Sequence, residues 1–342
     1  MSIKLNSIEL SISKAYTNPK YKSKRVLTKA PFSYVKLWLM NQSNEKTHYA
    51  RFFWEQAANF YKAANELPIE SKPLIAYYCC MNAAKTLISL RNDNDPLTNI
   101  SHGVSSDRIS HQGIVNKEII LEGGGVLARL AKCVNDKSQK ERLKVLDLLR
   151  NLPSIHRTFS ITCSNKTELF IPIHDIRFEL NKPQKKGYII FSIDPEYTNG
   201  NSLRNISSSF ERTNDTECVT FRTKKRFDWD IHEKEGKRIE SLVTYHNKIR
   251  HQFFYIKGYS VSWYIKKENV KGVIPRSPLV ITYALMHWLS ELVRYDPKEF
   301  SQLLSGHYNW LLCEFIDICF QQFIDEISCE ITGENIGYGK GI

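Results

Sequence analysis

RNLPSIH, residues 150–156, is where the sequence changes its period, and that change decides the fold. Upstream of it, apolar residues recur at helical spacing. Downstream they come in short runs rich in β-branched and aromatic residues. Pro153 has no amide hydrogen and biases the residue before it out of the helical region. The helix expected over 141–151 (ERLKVLDLLRN) therefore stops here, and a sheet is expected to begin.

On the N-terminal side, residues 49–66 carry Phe53, Ala57, Phe60, Tyr61 and Ala64 on one helical face. Residues 73–91, PLIAYYCCMNAAKTLISLR, open with Pro73 in the first turn and are apolar nearly all round, as a central buried helix would be. Gly123, Gly124 and Gly125 precede a further short helix, VLARLAKCV. On the C-terminal side, TFSITCS, TELFIPI, GYIIFSI, ECVTFRT and FFYIKGYSVSWYIK read as strands, the last turning at Lys257–Gly258. Helices resume at 277–295, where Ser277 caps and Pro278 takes the first position. Asp296, Pro297 and Glu299 start another helix with a capping-box pattern. A long helix is expected over about 308–331, and the tail after Gly333 is expected to fray.

The expected fold class is α+β: mostly a helical bundle built from the N- and C-terminal helices, with an inserted antiparallel β-sheet region. The corresponding division is a basic and aromatic arm over 1–48, a helical part over 49–156, a β-rich region over 157–267 and closing helices over 268–342.

Composition bounds the rest. Of 342 residues, 42% are hydrophobic and 25% charged, ordinary values that exclude large-scale disorder. The eight cysteines form no CxxC pair, and the first residues lack the apolar core of a signal peptide. A reduced, cytoplasmic protein is expected. The last apolar segment is interrupted by Glu314, Asp317, Asp325 and Glu326, so no membrane span is expected. Net charge is +12, which draws in polyanions. Nucleic acid, RNA or DNA, is the expected partner; a protein partner or a homo-oligomer is the alternative.

Candidate residues follow from that charge and from local oddities. Lys20, Lys22, Lys24 and Arg25 alternate with Tyr16, Tyr21, Phe32, Tyr34 and Trp38, a pattern able to grip a phosphate backbone and stack bases. An extended arm whose aromatics pack on the body and whose lysines are solvated is the simpler reading. Lys224, Lys225 and Arg226 lie in a basic sheet loop, and Arg250 and His251 form a basic patch beside the last hairpin. Asn82 and Lys85 are unusual on an apolar helix and need partners, from helix ends or from a cleft. His102 and His111 lie in the long loop 92–122, and loops of that length are often functional. Neither has a ligand partner at metal-binding spacing, so no metal and no cofactor are expected. The glycine run matches no nucleotide-binding fingerprint. Arg294 sits between two helices, as a structural corner or a ligand-binding arginine.

KLWLMN (36–41), KPLIAYYCCMNAAKTLI (72–88), HG (102–103), GGGVLARL (123–130) and PLVITYALMHWLSELVRYDPKEFSQLL (278–304) together resemble the bacterial YaaC-like family, most specifically in the ending LSxLxRYxPxxF. That resemblance implies this architecture and no established activity. The helical portion is also similar to HEPN-type bundles, many of which cut RNA in defence systems. Such ribonucleases carry arginine and histidine four to six residues apart, often with Asn after the arginine, and Arg150, Asn151 and His156 match. The histidine would move a ribose proton and the arginine hold the phosphate, without metal. Pro153 interrupts the helix such a pair needs, and the same spacing recurs at Arg226 and His232.

Overall fold

In the computed structural model, the helix read as central is central. It is α3 (Lys72–Arg91), which packs against helices from both ends of the chain. The structure describes every residue except 6, 43–45, 92–96, 98–99, 107–112, 214–216 and 338–342. His111 and most of the tail after Gly333 fall outside the described residues.

The chain divides into two units, each made of separated segments. The helical unit comprises residues 28–168 and 274–332. It contains α1 (Pro31–Met40), α2 (Lys46–Glu66), α3, α4 (Gly125–Cys133), α5 (Val145–Arg150) and α6 (His156–Thr162). The intervening α7 (Gly200–Leu203) and α8 (Glu235–Ile249) belong to the other unit. Then α9 (Pro278–Tyr295), α10 (Pro297–Ser305), α11 (Asn309–Glu314) and α12 (Phe320–Thr332) close the bundle. α9 starts as its sequence dictates, with Ser277 accepting from the Val280 amide. Asp296 caps α10 in the same way through the Glu299 amide, 3.0 Å. α3 meets α2, α9, α4 and α12, so the N- and C-terminal helices share one interior.

The sheet unit comprises residues 1–27, 169–273 and 333–342. Its first strands, β1 (Lys4–Leu5) and β2 (Ile8–Glu9), pair with each other, and β3 (Val26–Leu27) follows. β4 (Val104–Ser106), β5 (Glu118–Leu121) and β6 (Glu141–Lys144) form a small antiparallel sheet within the helical unit. The main sheet uses β7 (Phe170–Asn181), β8 (Lys186–Ile193), β9 (Phe210–Arg212), β10 (Thr220–Thr223), β11 (Phe227–Asp228), β12 (Phe253–Ile256) and β13 (Ser262–Lys266). It is antiparallel in the order β12-β13-β7-β8-β10-β9, with β11 also on β8. A bulge between His174 and Arg177 shifts the β7–β8 register, with Asp175 at φ 51°. α8 covers the sheet, burying Leu242, Tyr245 and Ile249 against Phe178, Ile189, Phe191 and Phe253. β14 (Ile336–Gly337) pairs in parallel with β3.

Four local expectations are corrected. TFSITCS, expected as a strand, is mostly α6, so the sheet begins at Phe170. ERLK, expected as the start of a helix, is β6, held by β5. The stretch expected to be β-rich, 157–267, also contains α8. The long last helix is divided by a π turn at Phe315–Cys319. The expected arm 1–48 is also split: residues 1–27 run with the sheet unit, and α1 joins the bundle.

Candidate functional site

Charge is distributed very unequally between the units. The sheet unit's segments carry 26 Lys and Arg against 15 Asp and Glu, a net +11; the helical unit carries 22 against 21, a net +1. Nearly the whole excess charge lies on one unit. There, α8 and the loops around β8 and β11 enclose a groove of about 1150 Å³. Lys185, Lys225, Arg226, Lys237, Arg238 and Lys248 line it. Its acidic residues are Asp228, Asp230, Glu233 and Glu240. Lys185 pairs with Asp230 at 2.7 Å, while Lys225 and Lys248 form no ion pair among the described residues. Arg226 bonds Glu211 at 2.6 Å and lies over the Tyr188 ring; Arg238 lies over Trp229. Glu211, between Arg226 and Arg222, is held below the usual carboxylate range by hydrogen bonds from both.

The basic residues named from sequence divide sharply. Lys24, Arg25, Lys224 and Lys225 are exposed. Lys22 pairs with Glu235 at 2.8 Å, and Lys20 lies 3.8 Å from Glu334. Arg250 is not a surface cation: it is 0% exposed. Its guanidinium donates to the carbonyls of Ser13, Lys14 and Phe253 and lies 4.4 Å from the Tyr16 ring centroid. Its charge fastens the segment after β2 to the start of β12 and is out of reach of a ligand. His251 stacks on Tyr16. The arm's aromatics are packing residues: Tyr16 is buried, Tyr21 bonds His246, and Phe32 packs on Trp54 and Tyr61.

Arg150 and His156 are both buried, 4% and 5% exposed. Arg150 donates to the Thr167 carbonyl, and His156 Nδ1 lies 3.0 Å from Glu168 Oε1. Asn151 accepts from the Ile274 amide and donates to the Asp147 carbonyl. These bonds tie the 150–156 turn to the segments where the chain leaves the helical unit and returns to it. Ribonuclease chemistry would need both side chains to leave them.

A second polar cluster lies in the helical unit. Gly103 (φ 82°) and Gly125 (φ 81°) pass so closely that a Cβ on Gly125 would stand 2.7 Å from Gly103, so glycine is required. The Leu127 amide bonds the His102 carbonyl, seating His102 at the start of α4. Tyr77 Oη lies 2.5 Å from His102 Nδ1, and Tyr283 Oη donates to the His102 carbonyl. His287 stacks its edge on Tyr77 and lies 3.7 Å from Glu291, which accepts from Ser106. Burial holds His287 neutral, its pKa down at about 3. His102 is lowered too, first by burial and then by the charges of Lys85 and Arg294. Asn82, by contrast, donates to the Tyr78 carbonyl one turn back along its own helix.

Lys85 lies 5.4 Å from the Phe53 ring centroid, and Arg294 bonds the Tyr78 and Tyr295 hydroxyls. Sequence reasoning named these two and His102 separately; it missed Tyr77, Tyr283, His287 and Glu291, which look like ordinary helix residues until the fold joins them. Among the described residues no group of three or more His, Cys, Asp or Glu is placed to hold a metal ion, and no helix is long and apolar enough to cross a membrane. On the last helical segments, Trp310 and Ile318 are the exposed large apolar residues, while α12 is almost wholly buried.

No curated protein and no solved structure matches the chain. The family described as YaaC-like Protein matches residues 11–331, a span that takes in both units. With nearly the full length covered, the chain belongs to the YaaC-like family.

Proposed function

We propose that the chain binds nucleic acid through its sheet unit. The carrying observation is the charge partition: 26 basic against 15 acidic residues on that unit, beside near-neutrality on the other. A polyanion gains by releasing counterions onto such a surface. The groove of about 1150 Å³ is lined by six basic residues, and Lys225 and Lys248 line it without acidic partners among the described residues. The aromatics of the arm are engaged in packing, so the affinity rests on phosphate contacts, which carry no sequence information. Binding is therefore expected to be strongly salt-dependent and nearly blind to sequence.

The test is fluorescence anisotropy with labelled RNA, single-stranded DNA and duplex DNA across a salt series. The expected log–log slope is about −0.7 per phosphate contacted for a single strand and about −0.9 for duplex. Reversing Lys225, Lys237 and Lys248 to Glu should lower affinity by at least tenfold and flatten the slope. An affinity that ignores salt, or no binding to any of the three at low salt, refutes the proposal.

A further inference from the structure

We propose, on the reading that the sheet unit binds nucleic acid, that a pocket beside its groove takes one unstacked base of a single strand bound there. The pocket encloses about 400 Å³, within the roughly 300–1,000 Å³ typical of ligand sites. Three stretches of the sheet unit build it. The opening residues run beside the end of β7, where the Ile3 amide bonds the Phe178 carbonyl and the Leu180 amide bonds the Met1 carbonyl, both at 2.9 Å. The β7–β8 turn closes through the Lys185 amide on the Lys182 carbonyl, with Lys185 at φ 53°. The segment after β11 is pinned to that turn by the Trp229 amide on the Lys185 carbonyl, 2.9 Å, and by the Lys185–Asp230 pair at 2.7 Å. Each stretch is thus held by backbone bonds before a ligand arrives, which lowers the ordering cost of binding.

The lining of the pocket selects its occupant. Ile3, Leu180, Trp229 and Ile231 make it apolar, and Ile231 is 64% exposed. A large apolar side chain left in water at a cavity is surface that an inserted ring would cover. The charged lining is cationic: Lys4, Lys182, Lys185 and Arg238 stand against Asp230, which Lys185 already neutralises. A base on its strand brings the matching pair of features, a flat apolar face with a phosphate on either side. Lys185, Asp230 and Arg238 line the groove as well, so the two cavities adjoin. The Arg238 guanidinium lies 5.2 Å from the Trp229 ring centroid, and its Nε is buried without a hydrogen-bond partner among the described residues. Guanidinium planes and indoles are surfaces on which unpaired bases stack. Stacking accepts every base, so the pocket adds affinity without adding a sequence code. A duplex would have to break a stack and a pair to present one.

The experiment compares the full chain's affinity for labelled oligothymidylate with that for an abasic deoxyribose-phosphate chain of equal length, by anisotropy across a salt series. The base-bearing strand is expected to bind about tenfold tighter, the worth of one stacked base, with the same salt slope. Ile231→Ser, at an exposed position, should remove that preference and leave the affinity for the abasic chain unchanged, which itself shows the variant to be folded. Arg238→Lys keeps the charge but not the plane and should do the same. Lys225→Glu, in the groove, should weaken both chains alike. Equal affinity for the two chains, or a preference that survives in Ile231→Ser and Arg238→Lys, overturns the base pocket while leaving the groove as a phosphate site. Binding of neither chain, or binding that ignores salt, overturns both.

Discussion

The two units handle charge in opposite ways. The sheet unit concentrates a net +11 on a surface laced with short ion pairs such as Lys22–Glu235, Lys185–Asp230 and Arg226–Glu211. The helical unit is nearly neutral and draws its polar groups inward, where Tyr77, Tyr283 and His287 sit buried together and Glu330 pairs with Arg91. Surface charge of one sign attracts a long, repeating partner at a distance. The contrast teaches that net charge belongs to a unit before it belongs to a chain.

The contrast is broken most severely at Arg250, a fully buried cation of the sheet unit. Arg250→Ala orphans three buried carbonyls and should cost about 3 kcal/mol or more in urea unfolding. A loss below about 1 kcal/mol would mean its charge is not structural. Next comes pH. His246 in the sheet unit and His287 in the helical unit are both held neutral by burial, their pKa values at about 3. Facing His246 are Tyr21, Arg250 and His251; facing His287 are Tyr77, His102, Glu291 and Arg294. The folded values lie below the unfolded value near 6.5, so the unfolded chain binds protons first as pH falls. Stability should be complete above about pH 6.5 and fall toward pH 3 by about 1.4 kcal/mol per unit per histidine. Urea midpoints at neutral and mildly acid pH check this, and His246→Gln should flatten the slope for the sheet unit. The smallest effect sharpens the contrast instead: Lys225→Ala should change stability by less than about 0.5 kcal/mol while weakening nucleic-acid binding. A large stability change there would mean the groove's cations are structural after all.

Much of the fold was legible because local and global preferences agree. Ser277–Pro278 and Asp296–Pro297 start helices for reasons visible in four residues. Where reading fails, tertiary contacts override local preference. FSIT alternates like a strand, yet it coils as α6, with Arg150 and His156 gripping Thr167 and Glu168 just beyond. ERLK has helix-forming residues but completes a sheet with β5. Asp325 and Glu326, which argue against a membrane span, are buried within the bundle. α8 was readable from Ile239, Leu242, Tyr245 and Ile249, whose spacing is helical. The helical unit's cluster was only half-legible: His102 stands out in its loop, whereas a tyrosine or histidine on a core helix carries no mark of which neighbour it will meet.

The pairing of β3 with β14 has a consequence for synthesis. Lys14 Nζ donates to the Ile336 carbonyl, and the Asn335 side chain accepts from Ser13 and from the Lys14 amide. The opening segment therefore waits, unlatched, until residues more than three hundred positions later have been translated. The helical unit likewise lacks α9 and α12 until residues 278–332 have been made. Nascent chains of this protein should thus expose unfinished interiors until residues beyond 330 have emerged, and neither unit can be excised as one continuous fragment.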